Sequence, residues 1–460
     1  MTARRPQEGQ SGVLERLALH RPELRAWALY DWANSAMVTT IVAAIFPIYY
    51  SEVAHAGWPA AEATRRYALS TTVALGLIAI VAPFLGTLAD VTAAKKKLLA
   101  GFLALGVGSV AGMFWIGSGS WQLASLLVVL ANLGASGSFV FYDSLLPHVA
   151  RQGEMDRLST SGYALGYIGG GLLLALQLAW IQHPGWFGLP TGPDLSPSEK
   201  TLPVRLAFLS VAVWWLGFSM PLLRRVPEPR GRQPPERSFG RALVTTFVRL
   251  RETSRELRRF RHAFLMLLAF LVYNDGIQTI IKMATIYGTE IGIDRGALVG
   301  AILLVQFVGV PCTVLFGGLA GRIGTKPALY LALAAYVGIA LLATFMRTSA
   351  HFYVLAVAVG IVQGGAQALS RSLFASLVPR SRSSEFFGFF AVLEKFAGVF
   401  GPALFAVAIQ LTGSSRSAVA SVVVFFAIGA LLLRTVDVEA GRDAARTADG
   451  VERAGVNASG

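Results

Sequence analysis

Charge is scarce in this chain. Only 14% of its 460 residues are Asp, Glu, Lys or Arg, against 54% hydrophobic, whereas soluble proteins carry roughly 25% charged residues. That balance cannot coat a water-facing surface. A row of soluble domains is therefore excluded, and the same length accommodates a dozen membrane helices of about 20 apolar residues each. Cysteine is nearly absent too. The single Cys312 excludes an internal disulfide and a cysteine-based metal site. The six histidines stand at run ends and in loops with no pair at metal-ligand spacing, so neither metal nor cofactor is expected. Residues 1–24 hold no apolar core of signal-peptide type, so the first span should double as the insertion signal. "GYIGGG" lies inside an apolar run, and no Gly-Lys-Ser/Thr of an ATP site occurs anywhere.

What is abundant is long apolar runs. They fall near 26–50, 67–89, 98–117, 121–142, 158–181 and 204–223, and again near 263–287, 296–320, 327–346, 351–373, 386–411 and 417–435. Runs of this length satisfy their backbone as helices rather than as period-two barrel strands. The expected class is an all-α membrane protein with 12 transmembrane helices in two six-helix halves. Its parts are a segment 1–25, a bundle 26–223, a linker 224–262, a bundle 263–435 and a tail 436–460 expected to be disordered. Of the 40 Lys and Arg, 30 fall on the side that carries both termini, 7 on the other, and 3 inside spans. Both termini are thereby placed in the cytoplasm of a cell that holds the protein in its inner or plasma membrane.

The net charge of +14 sits on those same loops, where anionic lipid headgroups are the natural partners, and nucleic acid is not expected. The linker holds 12 Arg and 4 Glu. Its first part, "VPEPRGRQPPER", is too rich in proline to fold. Its second part aligns Phe239, Leu243, Phe247, Leu250, Leu257 and Phe260 opposite arginines, as in a helix lying on the inner leaflet.

The two sets of six look like copies. "GTLAD" at 86–90 and "GGLAG" at 317–321 stand at an offset of 231, each followed by basic residues. Pro147 and Pro379 close "SLLP" and "SLVP" at an offset of 232, and Gly166 and Gly169 match Gly398 and Gly401 at the same offset. Two homologous halves around a central site are a recurring transporter plan.

"GTLADVTAAKKK" resembles the loop signature of the major facilitator superfamily between spans 2 and 3. "WALYDWANSA" and "YNDGIQT" resemble one branch, the vacuole effluxer family of fungal vacuolar amino-acid exporters and their bacterial relatives. The loop signature departs from the pattern: alanines replace its usual Gly-Arg pair, and Gly321 stands where the second copy should carry Asp.

Within span 1, Asp31, Ser35 and Thr39 are spaced four apart with Asn34 and Tyr30 beside them. In span 7, Asn274 and Asp275 precede Gln278, Thr279 and Lys282 at helical spacing. In a fold resembling this superfamily both stripes face a central cavity, whose water offsets the roughly 2.5–3.5 kcal/mol cost of a charge at mid-membrane. Pairing of Asp275 with Lys282, or of Lys282 with Asp31 across the cavity, stays open. The resemblance gives Asp90 a gate role against the start of span 11 near Ser383 and Ser384. Arg371, Glu394 and Lys395 are candidates for a second gate, and Asp143 for gate or packing. The expected function is a secondary transporter, not an enzyme, moving a small polar metabolite. The resemblance implies export of an amino acid or similar zwitterion, with protons as candidate coupling ion. A lipid-handling or sensing protein of the same fold is the alternative.

Overall fold

The computed structural model describes residues 8–457 apart from 55–56, 58–59, 152, 230–240, 242–243, 247, 249–259, 291–292, 294, 398–399 and 413–414. All regular structure among them is helical, the form in which an apolar segment pairs its own backbone without water. Span 1 starts at Pro22, where a missing N–H costs nothing. It runs as an α-helix to Met37, loosens into π-helical turns over Val38–Ala44, and bends by 41° into Phe46–Ala54.

Spans 2 to 6 are Ala60–Thr92, Lys95–Gly112, Trp121–Val149, Met155–Gln182 and Pro197–Arg225. Spans 7 to 10 are Arg261–Glu290, Arg295–Ile323, Thr325–Ala343 and Ser349–Leu377. Span 11 comes in two pieces, Ser383–Phe396 and Phe400–Thr412, and span 12 comprises Ser415–Ser421 and Val423–Arg434. Among the described residues ten helices have the length and apolarity to cross a bilayer, and the bent first span makes eleven. With the broken span 11, the architecture has the twelve helices that the apolar runs predict.

An even number of crossings brings both ends of the chain to one face, here called the terminal face. The halves meet along two seams, span 2 against the first piece of span 11 and span 5 against spans 8 and 10. The terminal ends of spans 4 and 5 close on spans 10 and 11 there.

Most of the stretch expected to form an amphipathic helix in the linker lies outside the described residues. The tail needs correction. It is not disordered: Val438–Asn457 is a helix that docks on the terminal face. The Asp437 N–H donates to His262 Nδ1 at 3.0 Å, and Ala445 and Ala448 are buried. Its apolar stripe is built from alanines, which carry too little hydrophobicity to register against a dozen membrane runs.

Candidate functional site

The densest polar cluster lies where spans 1, 4, 5 and 10 meet. Trp27 and Asp31 share one face of span 1 by their i, i+4 spacing. Span 4 presents Tyr142 and Asp143, and span 10 presents Arg371. The Arg371 guanidinium donates to Asp31 Oδ2 at 3.0 Å and to Asp143 Oδ1 at 3.2 Å. It also donates to Ser159 Oγ at 2.9 Å and to the Ser159 carbonyl at 3.0 Å. The Tyr142 hydroxyl donates to Asp31 Oδ2 at 2.9 Å.

Aromatic rings enclose the cation, Tyr163 at 4.5 Å, Trp27 at 4.8 Å and Tyr142 at 5.5 Å from their centroids. Trp27 stacks on Tyr142 at 4.4 Å and donates its indole N–H to the Tyr142 carbonyl. Gly162 of span 5 is required at this spot, since a Cβ there would lie 2.4 Å from Asp31 Oδ2 and 3.3 Å from Arg371 Nη2.

The cluster joins the halves electrostatically. Asp31 and Asp143 belong to the first half and Arg371 to the second, and the Arg371 side chain is 2% exposed. An ion pair this dry holds only if hydrogen bonds saturate it, and the planar fork of arginine reaches two carboxylates and Ser159 at once. Two carboxylates face one guanidinium, and Glu394 interacts electrostatically with Asp143 as a further negative charge. Arg371 and Asp143 are six residues from the ends of their helices, about 9 Å inside the terminal face at 1.5 Å per residue.

Nearer that face stands a second network. Asp90 accepts from Lys95 Nζ at 2.8 Å and from the Glu385 and Ser384 N–H groups at 2.9 and 3.4 Å. Those N–H groups open the first piece of span 11, so the carboxylate sits at the positive end of a helix dipole in the opposite half. Lys95 Nζ also donates to Ser383 Oγ at 2.6 Å, His148 Nε2 lies 3.1 Å from both, and the Ser383 hydroxyl donates to the Ser144 carbonyl at 3.0 Å.

On the other seam Asp156 accepts from Thr325 Oγ1 at 2.6 Å and from the Ser372 hydroxyl. Outside the membrane, Glu154 accepts from Arg21 at 2.6 Å and from the Arg151 N–H at 2.9 Å. Burial pushes the Glu154 carboxyl up, but those donors outweigh it and hold it below the usual range.

In this conformer the carboxylates of the two stripes are held by different protein partners. Asp31 is 5% and Asp275 1% exposed, so protein groups rather than open water compensate both charges in this conformer. The cation on Asp31 among the described residues is Arg371; both pairings expected of Lys282 rest on a side chain outside them. Asp275 accepts the N–H groups of Phe400 and Gly401 at 3.1 and 2.9 Å, at the start of the second piece of span 11. Gly401 must be glycine there, because a Cβ would fall 1.5 Å from Thr279 Oγ1.

Thr39 and Thr279 donate to the carbonyls one turn back, Ser35 and Asp275. Tyr30 and Asn34 are buried inside the first half. Asn274 accepts from Gln367 at 2.8 Å, while Ser35 and Gln278 are half-buried. The side chains of Lys282 and Lys395 lie outside the described residues. Arg371, a candidate for a second gate, and Asp143, a candidate for gate or packing, both meet Asp31 in one cluster. Ser159, Tyr142, Tyr163 and His148 were not singled out from the sequence. Tyr142 is legible only as the neighbour of a membrane Asp, and Ser159 carries no signal at all.

This arrangement defines the class. The fold is that of the major facilitator superfamily. The proton:xylose symporter XylE, bound to 6-bromo-6-deoxy-D-glucose, aligns over 93% of this chain and 96% of that one, with TM-score 0.64 and 14% identity. FucP in the outward conformation aligns over 91% and 100% with TM-score 0.64 and 12% identity.

Within that class the chain belongs to the family described as "Vacuole effluxer Atg22 like", whose profile matches residues 19–446. It is 37% identical over 420 residues to the "Uncharacterized MFS-type transporter YxiO" of Bacillus subtilis (strain 168), covering 91% of this chain and 95% of that protein. It is 22% identical over 551 residues to "Autophagy-related protein 22" of Coccidioides immitis (strain RS), covering 96% and 91%. Family and fold together make it a multi-pass membrane transporter of the major facilitator type.

Proposed function

We propose that the protein is a secondary active exporter of an amino acid or similar zwitterion, working by alternating access and coupled to protons. The observation that carries this reading is the triad of Arg371 with Asp31 and Asp143, a dry charge cluster shared between the two halves. A contact of that kind has to break whenever the halves rock apart at the terminal face, so its occupancy sets the conformational equilibrium. One guanidinium facing two carboxylates leaves one carboxylate to take up and release a proton, and a zwitterion offers an ammonium and a carboxylate to the same groups.

The excess of Lys and Arg on its loops supports a terminal face on the cytoplasmic side. The Asp90 and Asp156 networks then act as the cytoplasmic gate, and the described conformer is closed on that side. Compensation of Asp275 by the start of the second piece of span 11 makes that residue a positioning group for the broken helix. Export rests on the family description, vacuole effluxer.

The test is uptake of labelled amino acids into proteoliposomes with and without an imposed pH gradient. Uptake that depends on the protein and on the pH gradient, and that falls at least tenfold in Arg371→Gln, a loss of about 1.4 kcal/mol or more, is the expected result. Saturable headgroup binding without flux of any amino acid overturns it.

A further inference from the structure

At the terminal face the seam between the halves closes over a cavity of about 270 Å³. Its walls come from three places: Pro147 and Met155 from spans 4 and 5, Ser376 and Arg380 from the end of span 10, and Arg442 and Arg446 from the C-terminal helix. The helix is fastened where it forms this roof. Asp449 accepts from the Arg380 and Ser381 N–H groups at 3.2 and 3.3 Å and from Ser381 Oγ at 3.1 Å, and Arg442 Nε donates to Ser376 Oγ at 3.3 Å.

Among the described residues that line this cavity, basic side chains outnumber acidic ones. Three guanidinium groups line it against one lining carboxylate, Asp449, whose oxygens already accept three bonds. Asp443 pairs with Arg446 at 3.4 Å with both side chains mostly exposed, a contact of little weight. Nε is the single nitrogen of Arg442 engaged among the described residues, which leaves both terminal nitrogens able to donate. Guanidinium forks set around a small polar cavity match the oxygens of a phosphate group better than any other common ligand chemistry.

We propose that this cavity is a site for a phosphate-bearing anion, bound only while the terminal face is closed. The state dependence follows from the walls. Pro147 and Met155 belong to one half and the arginines to the other, so rocking that separates the halves dismantles the site. An occupant therefore shifts the population toward the closed terminal face by its differential affinity. Ser381 stands two residues before the Ser383–Glu385 segment that holds Asp90 and Lys95, so the occupant also steadies the loop that carries the gate.

A free phosphorylated metabolite and a phospholipid headgroup present the same chemistry, and the test separates them. Thermal unfolding of the full-length protein is followed in detergent with inorganic pyrophosphate or glycerol 3-phosphate. In parallel it is followed in nanodiscs of phosphatidylcholine with and without phosphatidylglycerol. A saturable rise in melting temperature with the soluble anions assigns a metabolite site, and a rise with phosphatidylglycerol alone assigns a headgroup site. Either rise should vanish in Arg380→Gln/Arg442→Gln. Should that pair fail to fold, Arg446→Gln, an exposed change, should weaken binding several-fold. In Asp90→Asn, which loosens the closed face, apparent affinity should also fall several-fold. No rise in any arm, or one untouched by the arginine changes, overturns the site, and equal affinity in Asp90→Asn overturns its dependence on closure.

Discussion

Arg371 shows how a single residue binds two halves of a molecule. Removing it leaves Asp31 and Asp143 facing each other in dry protein, whereas removing one carboxylate leaves a balanced pair. Arg371→Gln should therefore lower stability by about 3–5 kcal/mol, the cost of stranding a buried charge, and Asp143→Asn by clearly less. Melting temperatures in detergent check the order, and a larger loss in Asp143→Asn contradicts it. The presence of ionisable residues inside the membrane was legible in the sequence, because each is conspicuous against apolar neighbours. Their pairing was not. Arg371 and Asp31 are 340 positions apart, and spacing along one helix says nothing about which helix stands opposite.

Glu154 supplies a residue whose effect depends on pH. Its carboxyl is held below the usual range in the folded protein, so its stabilising effect is fully present above the ordinary value of about 4.3. The effect is lost as pH falls through the lower folded value. Glu154→Gln should melt lower than wild type at neutral pH by about 1.5–3 kcal/mol, the worth of a charge-assisted hydrogen bond. The gap should close on acidification below about pH 4. A gap that is constant with pH assigns the loss to packing instead.

At the scale of elements, span 11 departs most from a simple apolar run. It breaks between Phe396 and Phe400, and Asp275 of span 7 accepts the first N–H groups of its second piece. The sequence run 386–411 reads as one continuous span because hydropathy averages over the break, where Ala397 turns to extended backbone. Asp275→Asn keeps an acceptor but removes the charge from the helix N-terminus, and should cost about 0.5–2 kcal/mol of local stability. Hydrogen exchange over Phe400–Thr412 should quicken in that variant while spans 1 to 6 stay unchanged. Unaltered exchange there denies the residue its positioning role. The C-terminal helix was missed for a related reason: its stripe is made of Ala and Val and reads as polar tail beside a dozen strongly apolar runs.

For the whole molecule, repeats and loop signature made the two-half architecture legible. Offsets of 231 and 232 recur between landmarks of the two halves. The conformational state was not legible, since it depends on contacts between halves. Here those contacts form layers: the Arg371 triad about 9 Å inside the terminal face, then the Asp90 and Asp156 networks, then the C-terminal helix. If the triad is the lock, freeing Arg371 should drive the seam open, because an unpaired buried guanidinium gains water only by separating the halves.

The direct test is a distance distribution by pulsed electron resonance between spin labels at Arg151→Cys and Arg322→Cys, exposed positions of the first and second half, in a Cys312→Ser background. In Asp31→Asn/Asp143→Asn a population at longer distance should appear that the parent lacks. Identical distributions in the two proteins would contradict a lock at Arg371, and with it the coupling of this charge cluster to movement of the halves.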